Sequence, residues 1–93
     1  MTVPITLYTT QRCPYCLRAR ALLDKKGAAY RDIAVDVAPE LRREMMERSG
    51  RRTVPQIWIG EQHIGGFDDL YRLEIAGELD LLLESDSVPD SIN

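Results

Sequence analysis

The sequence predicts an α/β domain built on a four-stranded mixed sheet, and three observations carry that prediction. An apolar β-type run at 4–9 leads into a helical pattern and then into a second β-type run at 28–37. A helical segment opened by Pro39 separates this unit from a third apolar run at 53–59. Gly60-Glu61 then turns that run back into a short fourth one around Gln62-His63-Ile64.

Each element has a local reason. Ile5, Leu7 and Tyr8 suit a central strand, and residues 9–12 are polar and read as a loop. Cys13 falls near the N-cap of the first helix, with Pro14 at the first helical position, where its missing N–H costs nothing. Cys16, Ala19, Leu22 and Leu23 share one face, Arg18, Arg20, Asp24 and Lys25 favour water, and Gly27 ends the helix. Tyr30, Ile33, Val35 and Val37 mark the second strand, parallel to the first because a helix joins them. Leu41 and Met45 at i,i+4 give the second helix its apolar face, with Met46 beside them and Gly50 as its stop. The short link at Gly60-Glu61 makes the third and fourth strands antiparallel. After Gly65-Gly66, Asp68 or Asp69 is expected to cap a helix whose inner face carries Leu70, Leu73 and Ala76. Leu79, Leu82 and Leu83 close the core. The expected division is one domain over 1–84 and a polar, flexible tail over 85–93.

Composition narrows the class. The chain has 93 residues, 44% apolar and 29% charged, with 12 basic and 15 acidic side chains for a net charge of −3. Glu84, Asp86 and Asp90 account for the acidic excess, so the rest is balanced and offers no general basic face for nucleic acid. The basic residues are nevertheless uneven: Arg42, Arg43, Arg48, Arg51 and Arg52 crowd one segment. No signal pattern or membrane-length apolar run is present, which sets the expectation of a cytoplasmic protein without membrane contact.

Chemistry concentrates at Cys13-Pro14-Tyr15-Cys16, which holds both cysteines of the chain. A zinc site needs four ligands, and His63 is the one further candidate, so no metal site is expected. Two inert core cysteines would make the spacing accidental, and the first residue of such a pair before a helix is normally exposed. A redox dithiol fits best. Cys13 has the helix N-terminus and adjacent Arg12 to stabilise a thiolate, which makes it the nucleophile. Cys16 lies one turn in, on the apolar face, as the resolving thiol.

Three motifs occur in order: Cys13-Pro14-Tyr15-Cys16, Thr53-Val54-Pro55 and Gly65-Gly66-Phe67-Asp68-Asp69. Together they resemble the glutaredoxin family, specifically the small bacterial dithiol members with a CPYC active site, over residues 4–83. Monothiol members, with one cysteine before Gly-Phe-Ser, and thioredoxins, with Gly-Pro between the cysteines, fit less well. The resemblance implies a thioredoxin-like fold, a four-stranded mixed sheet flanked by helices on both faces. It implies glutathione as co-substrate with no tightly bound cofactor, and a monomer acting on glutathionylated or disulfide-bonded proteins.

It also implies roles for individual residues. Pro55 should be a cis proline facing the dithiol, leaving the Val54 N–H and C=O free to pair with glutathione as an added strand. Read without the resemblance, Pro55 merely starts an edge strand equally well. Thr53 belongs to the same binding run. Gly66 and the N–H groups around Phe67 and Asp68 would receive the γ-glutamyl carboxylate, and Asp69 its ammonium; the plain alternative is that these aspartates only cap the helix. Arg42 and Arg52 correspond to positions contacting the glycyl carboxylate, Arg52 being the stronger candidate and Arg42 equally a solvated helix residue. Tyr15 would flank the nucleophile. Two positions depart from the family pattern: Thr10 stands where many members have lysine, leaving Arg12 to supply charge, and Phe67 stands where some have a third cysteine.

The implied activity is glutathione-dependent thiol–disulfide exchange at a potential of roughly −200 to −230 mV. Two other readings compete. One is a redoxin recharged by thioredoxin reductase and donating electrons to an enzyme such as ribonucleotide reductase, against which the Gly-Gly-x-Asp-Asp run argues. The other is an iron–sulfur cluster carrier, which the stiffening Pro14 disfavours.

Overall fold

The computed structural model describes residues 3–84, and the expected tail at 85–93 lies outside them. The element order is β1 (Ile5–Thr9), α1 (Pro14–Lys25), β2 (Arg31–Ala34), α2 (Pro39–Ser49), β3 (Gln56–Ile59), β4 (Gln62–Gly65), α3 (Phe67–Ile75) and α4 (Leu79–Glu84). The four strands form one sheet in the order β2-β1-β3-β4. β1 runs parallel to β2 with Tyr8 opposite Ile33, and antiparallel to β3 with Leu7 opposite Ile57. β3 and β4 are antiparallel, as the short turn between them requires.

Alternation along β1 and β3 sends side chains to two cores. Ile5, Leu7, Ile57 and Ile59 point to one face, where Ala19 and Leu23 of α1, Leu70 of α3, and Leu79 and Leu83 of α4 cover them. Tyr8 and Trp58 point to the other, against Met45 of α2 and Val35. Helices therefore cover both faces. Each fully buried Leu contributes roughly 1.5–3 kcal/mol of transfer free energy.

The second core has a polar edge. The Tyr8 hydroxyl donates to Glu44 Oε2 at 2.5 Å and accepts from Arg48 Nη1 at 2.7 Å. The Arg48 guanidinium also lies 4.5 Å from the Trp58 ring centroid, a cation–π contact on a nearly buried indole. Tyr8 meets Trp58 edge-on at 5.3 Å, and the His63 ring lies 4.5 Å from the same indole.

Several boundaries differ from the sequence-based expectation. β2 is confined to Arg31–Ala34 because its partner β1 ends at Thr9, which pairs with Ala34. β3 starts at Gln56 rather than Thr53, since Pro55 has no N–H to give a ladder. Gly66, not Asp68 or Asp69, is the N-cap of α3; Asp69 is its third residue and accepts from the Gly66 N–H. Ala76 is exposed at the C-cap of α3, so the inward residues are Leu70 and Leu73. Arg20, expected in water, turns toward the sheet. No helix among the described residues is long and apolar enough to cross a membrane.

Candidate active site

Three segments converge beside the N-terminus of α1. β1 delivers the chain to Cys13, which is the N-cap, with Pro14 opening the helix. The Cys16 N–H donates to Cys13 Sγ at 3.4 Å. Cys13 is half-buried, Cys16 is fully buried, and both are free thiols. Burial, reinforced by the hydrogen bond and charge of Cys13, pushes the Cys16 thiol up to about 12. The two cysteines are thus chemically unequal. The accessible one can attack, and burial keeps the other protonated.

The second segment is the bend before β3. Val54–Pro55 is cis, and Val54 lies outside the strand ladder. The Cys13 thiol donates to the Val54 carbonyl at 3.6 Å, which places the dithiol against this bend. Gln56, buried, donates from Nε2 to the Thr53 carbonyl at 3.0 Å and to Thr53 Oγ1 at 3.2 Å, while its Oε1 pairs with His63 Nε2 at 2.8 Å. The bend is therefore braced from behind.

The third segment is the Gly65–Gly66 turn into α3. Gly65 has φ of +117°, and a Cβ there would come within 2.3 Å of Asp69 Oδ2. That carboxylate accepts from the Gly66 N–H at 3.0 Å and faces Arg51 Nη1 at 3.4 Å. The Gly66 hydrogen bond, then Arg51, holds Asp69 below its usual range despite partial burial. Its other oxygen is 3.4 Å from Arg72.

Between the second and third segments runs a groove of about 290 Å³. Thr53, Val54 and Pro55 line it together with Gly66, Phe67, Asp68 and Asp69, and Tyr15 and Arg51 complete it. Tyr15 and Phe67 lie 6.4 Å apart, and Phe67 stacks on Tyr71 at 5.7 Å. Arg12 and Arg52 are exposed and do not line the groove. Arg42 is half-buried and donates to the Arg52 carbonyl at 3.2 Å, tethering α2 to the segment that leads into the groove. Arg51 is the lining residue that the sequence reasoning passed over. Its signal was present only as one member of a crowd of arginines.

A dithiol at a helix N-terminus, set against the bend that leads into the third strand of a β2-β1-β3-β4 sheet with helices on both faces, defines a thiol–disulfide oxidoreductase of the thioredoxin-like fold. Comparison with known proteins makes the class more specific. The family model described as Glutaredoxin matches residues 5–64. The chain is 56% identical over 82 residues to a glutaredoxin of Pseudomonas aeruginosa, covering 88% of this chain and 98% of that one. It is 52% identical over 80 residues to glutaredoxin 3 of Escherichia coli, covering 86% and 96%. Among solved structures, the solution structure of glutaredoxin from Brucella melitensis superimposes with a TM-score of 0.81 at 55% identity, over 91% of this chain and 92% of that one. A buckwheat glutaredoxin–glutathione complex gives 0.83 at 31% identity, over 89% and 78%. This chain belongs to the glutaredoxin family.

Proposed function

We propose that the protein is a glutathione-dependent oxidoreductase that reduces protein–glutathione mixed disulfides and protein disulfides. The observation that carries this reading is the groove itself. It opens beside Cys13, whose sulfur lies 3.6 Å from the Val54 carbonyl, runs past Val54, and ends at the amide-rich start of α3 with Asp69. Those features suit a short peptide thiol with an extended backbone and a zwitterionic head. The glutathione bound by the buckwheat relative is a ligand of that description.

In the one-thiol route, the Cys13 thiolate attacks the glutathione sulfur of a protein mixed disulfide. That S–S bond breaks, the protein thiolate leaves and takes a proton, and Cys13 is left joined to glutathione. A second glutathione thiolate attacks the glutathione sulfur, forming glutathione disulfide and returning the Cys13 thiolate. One free glutathione is thus consumed for each protein thiol released, the other half of the glutathione disulfide coming from the substrate. With a protein disulfide, Cys13 forms a mixed disulfide with the substrate, and Cys16 displaces the substrate thiolate to give Cys13–Cys16. Glutathione then reduces that bond.

In an assay coupled through glutathione reductase and NADPH, the protein should turn over a small glutathione mixed disulfide. Cys16→Ser should retain this activity and Cys13→Ser should abolish it. Activity in Cys13→Ser would refute the assignment of the nucleophile. Turnover sustained by thioredoxin reductase but not by glutathione would refute the co-substrate.

A further inference from the structure

Arg20 belongs to a polar cluster that the reaction scheme has not used. Its Nε donates to Asp32 Oδ2 at 2.6 Å and its Nη2 to Thr9 Oγ1 at 2.9 Å. Thr9, fully buried, closes the ring by donating to Asp32 Oδ1 at 2.5 Å. The ring ties α1 to the ends of β1 and β2. Arg20 stands four residues beyond Cys16, one turn along the same side of α1. Thr9 precedes Thr10, whose backbone favours the Cys16 thiolate. The ring therefore anchors a cation one helical turn from a buried thiol.

The state that matters is the mixed disulfide. In the reduced protein, burial and the Cys13 charge both hold Cys16 protonated. Once Cys13 is bonded to a substrate sulfur its charge is gone, and burial is the opposing influence that remains. Thr10 and Arg20 act in the other direction. This is the moment at which Cys16 must lose its proton.

We propose that Arg20, fixed by Thr9 and Asp32, is a positioning residue for the resolving step, stabilising the Cys16 thiolate as it attacks Cys13 and taking no part in the first attack by Cys13. In that step the Cys16 proton passes to solvent and its thiolate attacks the Cys13 sulfur. The Cys13–substrate S–S bond breaks, the Cys13–Cys16 bond forms, and the substrate leaves as a thiolate. The inference needs only the dithiol and stands apart from the identity of the co-substrate.

The test is single-turnover exchange of the reduced full chain with dithiobis(nitrobenzoate), whose released thiolate is coloured. The first phase reports attack by Cys13, and the second reports displacement by Cys16; Cys16→Ser should show the first alone. Arg20→Met should leave the first phase within about twofold and slow the second about threefold to fourfold, because a higher thiol pKa cuts the thiolate fraction while making the remaining thiolate more nucleophilic. The pH at which the second phase reaches half its limit should rise, with Cys13 blocked in the mixed disulfide and Arg20 and Asp32 the charged groups of the cluster. Arg20→Lys, which keeps the charge, should recover most of the rate. A wild-type second phase in Arg20→Met, equal slowing of both phases, or no recovery by lysine would each overturn the proposal. If Arg20→Met does not fold, Thr9→Val carries the test, because it loosens the guanidinium without removing it. Slowing of its second phase alone supports the role, and an unchanged second phase overturns it.

Discussion

Arg51 and Asp69 are eighteen residues apart in the chain and meet at the groove, Nη1 lying 3.4 Å from Oδ2. The neighbouring Arg52 lends its carbonyl to Arg42 and keeps its own side chain in solvent. The two arginines should therefore separate in kinetics. Arg51→Gln should raise the KM for glutathione about fivefold to tenfold, the scale of one charge-assisted contact. Arg52→Gln should stay within about twofold. Steady-state assays of the two variants decide the matter, and equal effects would show that Arg51 has no larger part in binding than Arg52.

Alanine at two glycines should also give different outcomes. Gly27 has φ of +69° with nothing within 4 Å of an added Cβ, so Gly27→Ala should cost about 1–2 kcal/mol, the backbone penalty alone. At Gly65 the new methyl also meets the Asp69 carboxylate at 2.3 Å. Gly65→Ala should cost about 3 kcal/mol or more and weaken glutathione binding in the same variant. Urea titration and equilibrium binding measure the two effects separately.

Asp69 predicts an acid-side stability component. Its pKa in the folded protein is below the ordinary 3.8, through the Gly66 N–H and then Arg51. The unfolded chain therefore takes up this proton at a higher pH than the native one. The stabilisation is complete above the unfolded value and is lost as pH falls through the folded value. Thermal melts from neutral pH down to about pH 3 should show Asp69→Asn losing less stability than wild type over that acid range.

Removing the Tyr8 hydroxyl leaves Glu44 and Arg48 without their shared partner. Tyr8→Phe should cost about 1–2 kcal/mol by chemical denaturation with little change in the first phase of thiol exchange. Leu70→Ala, at a fully buried site, should cost about 2–5 kcal/mol.

What could be read from the sequence divides along a physical line. Period and punctuation gave the sheet: Ile57 and Ile59 against Trp58, Pro14 at the start of a helix, and Gly60 at a turn are all local signals. The dithiol and the three motifs were visible for the same reason. Thr53 and Val54 carry strand composition but lie ahead of β3, because the proline after them interrupts the ladder. Arg20 and Arg51 were misjudged or passed over because their partners, Asp32 and Asp69, lie 12 and 18 residues away and meet them only after the sheet forms. His63 braces Gln56 behind the groove, a contact between strands that no spacing announces.

Trp58 is the single tryptophan of the chain, and it sits between Tyr8, Arg48 and His63 with 4% of its surface exposed. Its emission is accordingly an internal optical gauge. Burial and nearby Arg51 hold His63 below its ordinary value, so the ring beside the indole is neutral at neutral pH. Acidification through that depressed value places a cation 4.5 Å from the fluorophore and should quench it. Unfolding should instead shift the emission to longer wavelength as the indole meets water. One unlabelled side chain thus distinguishes protonation behind the sheet from loss of the fold.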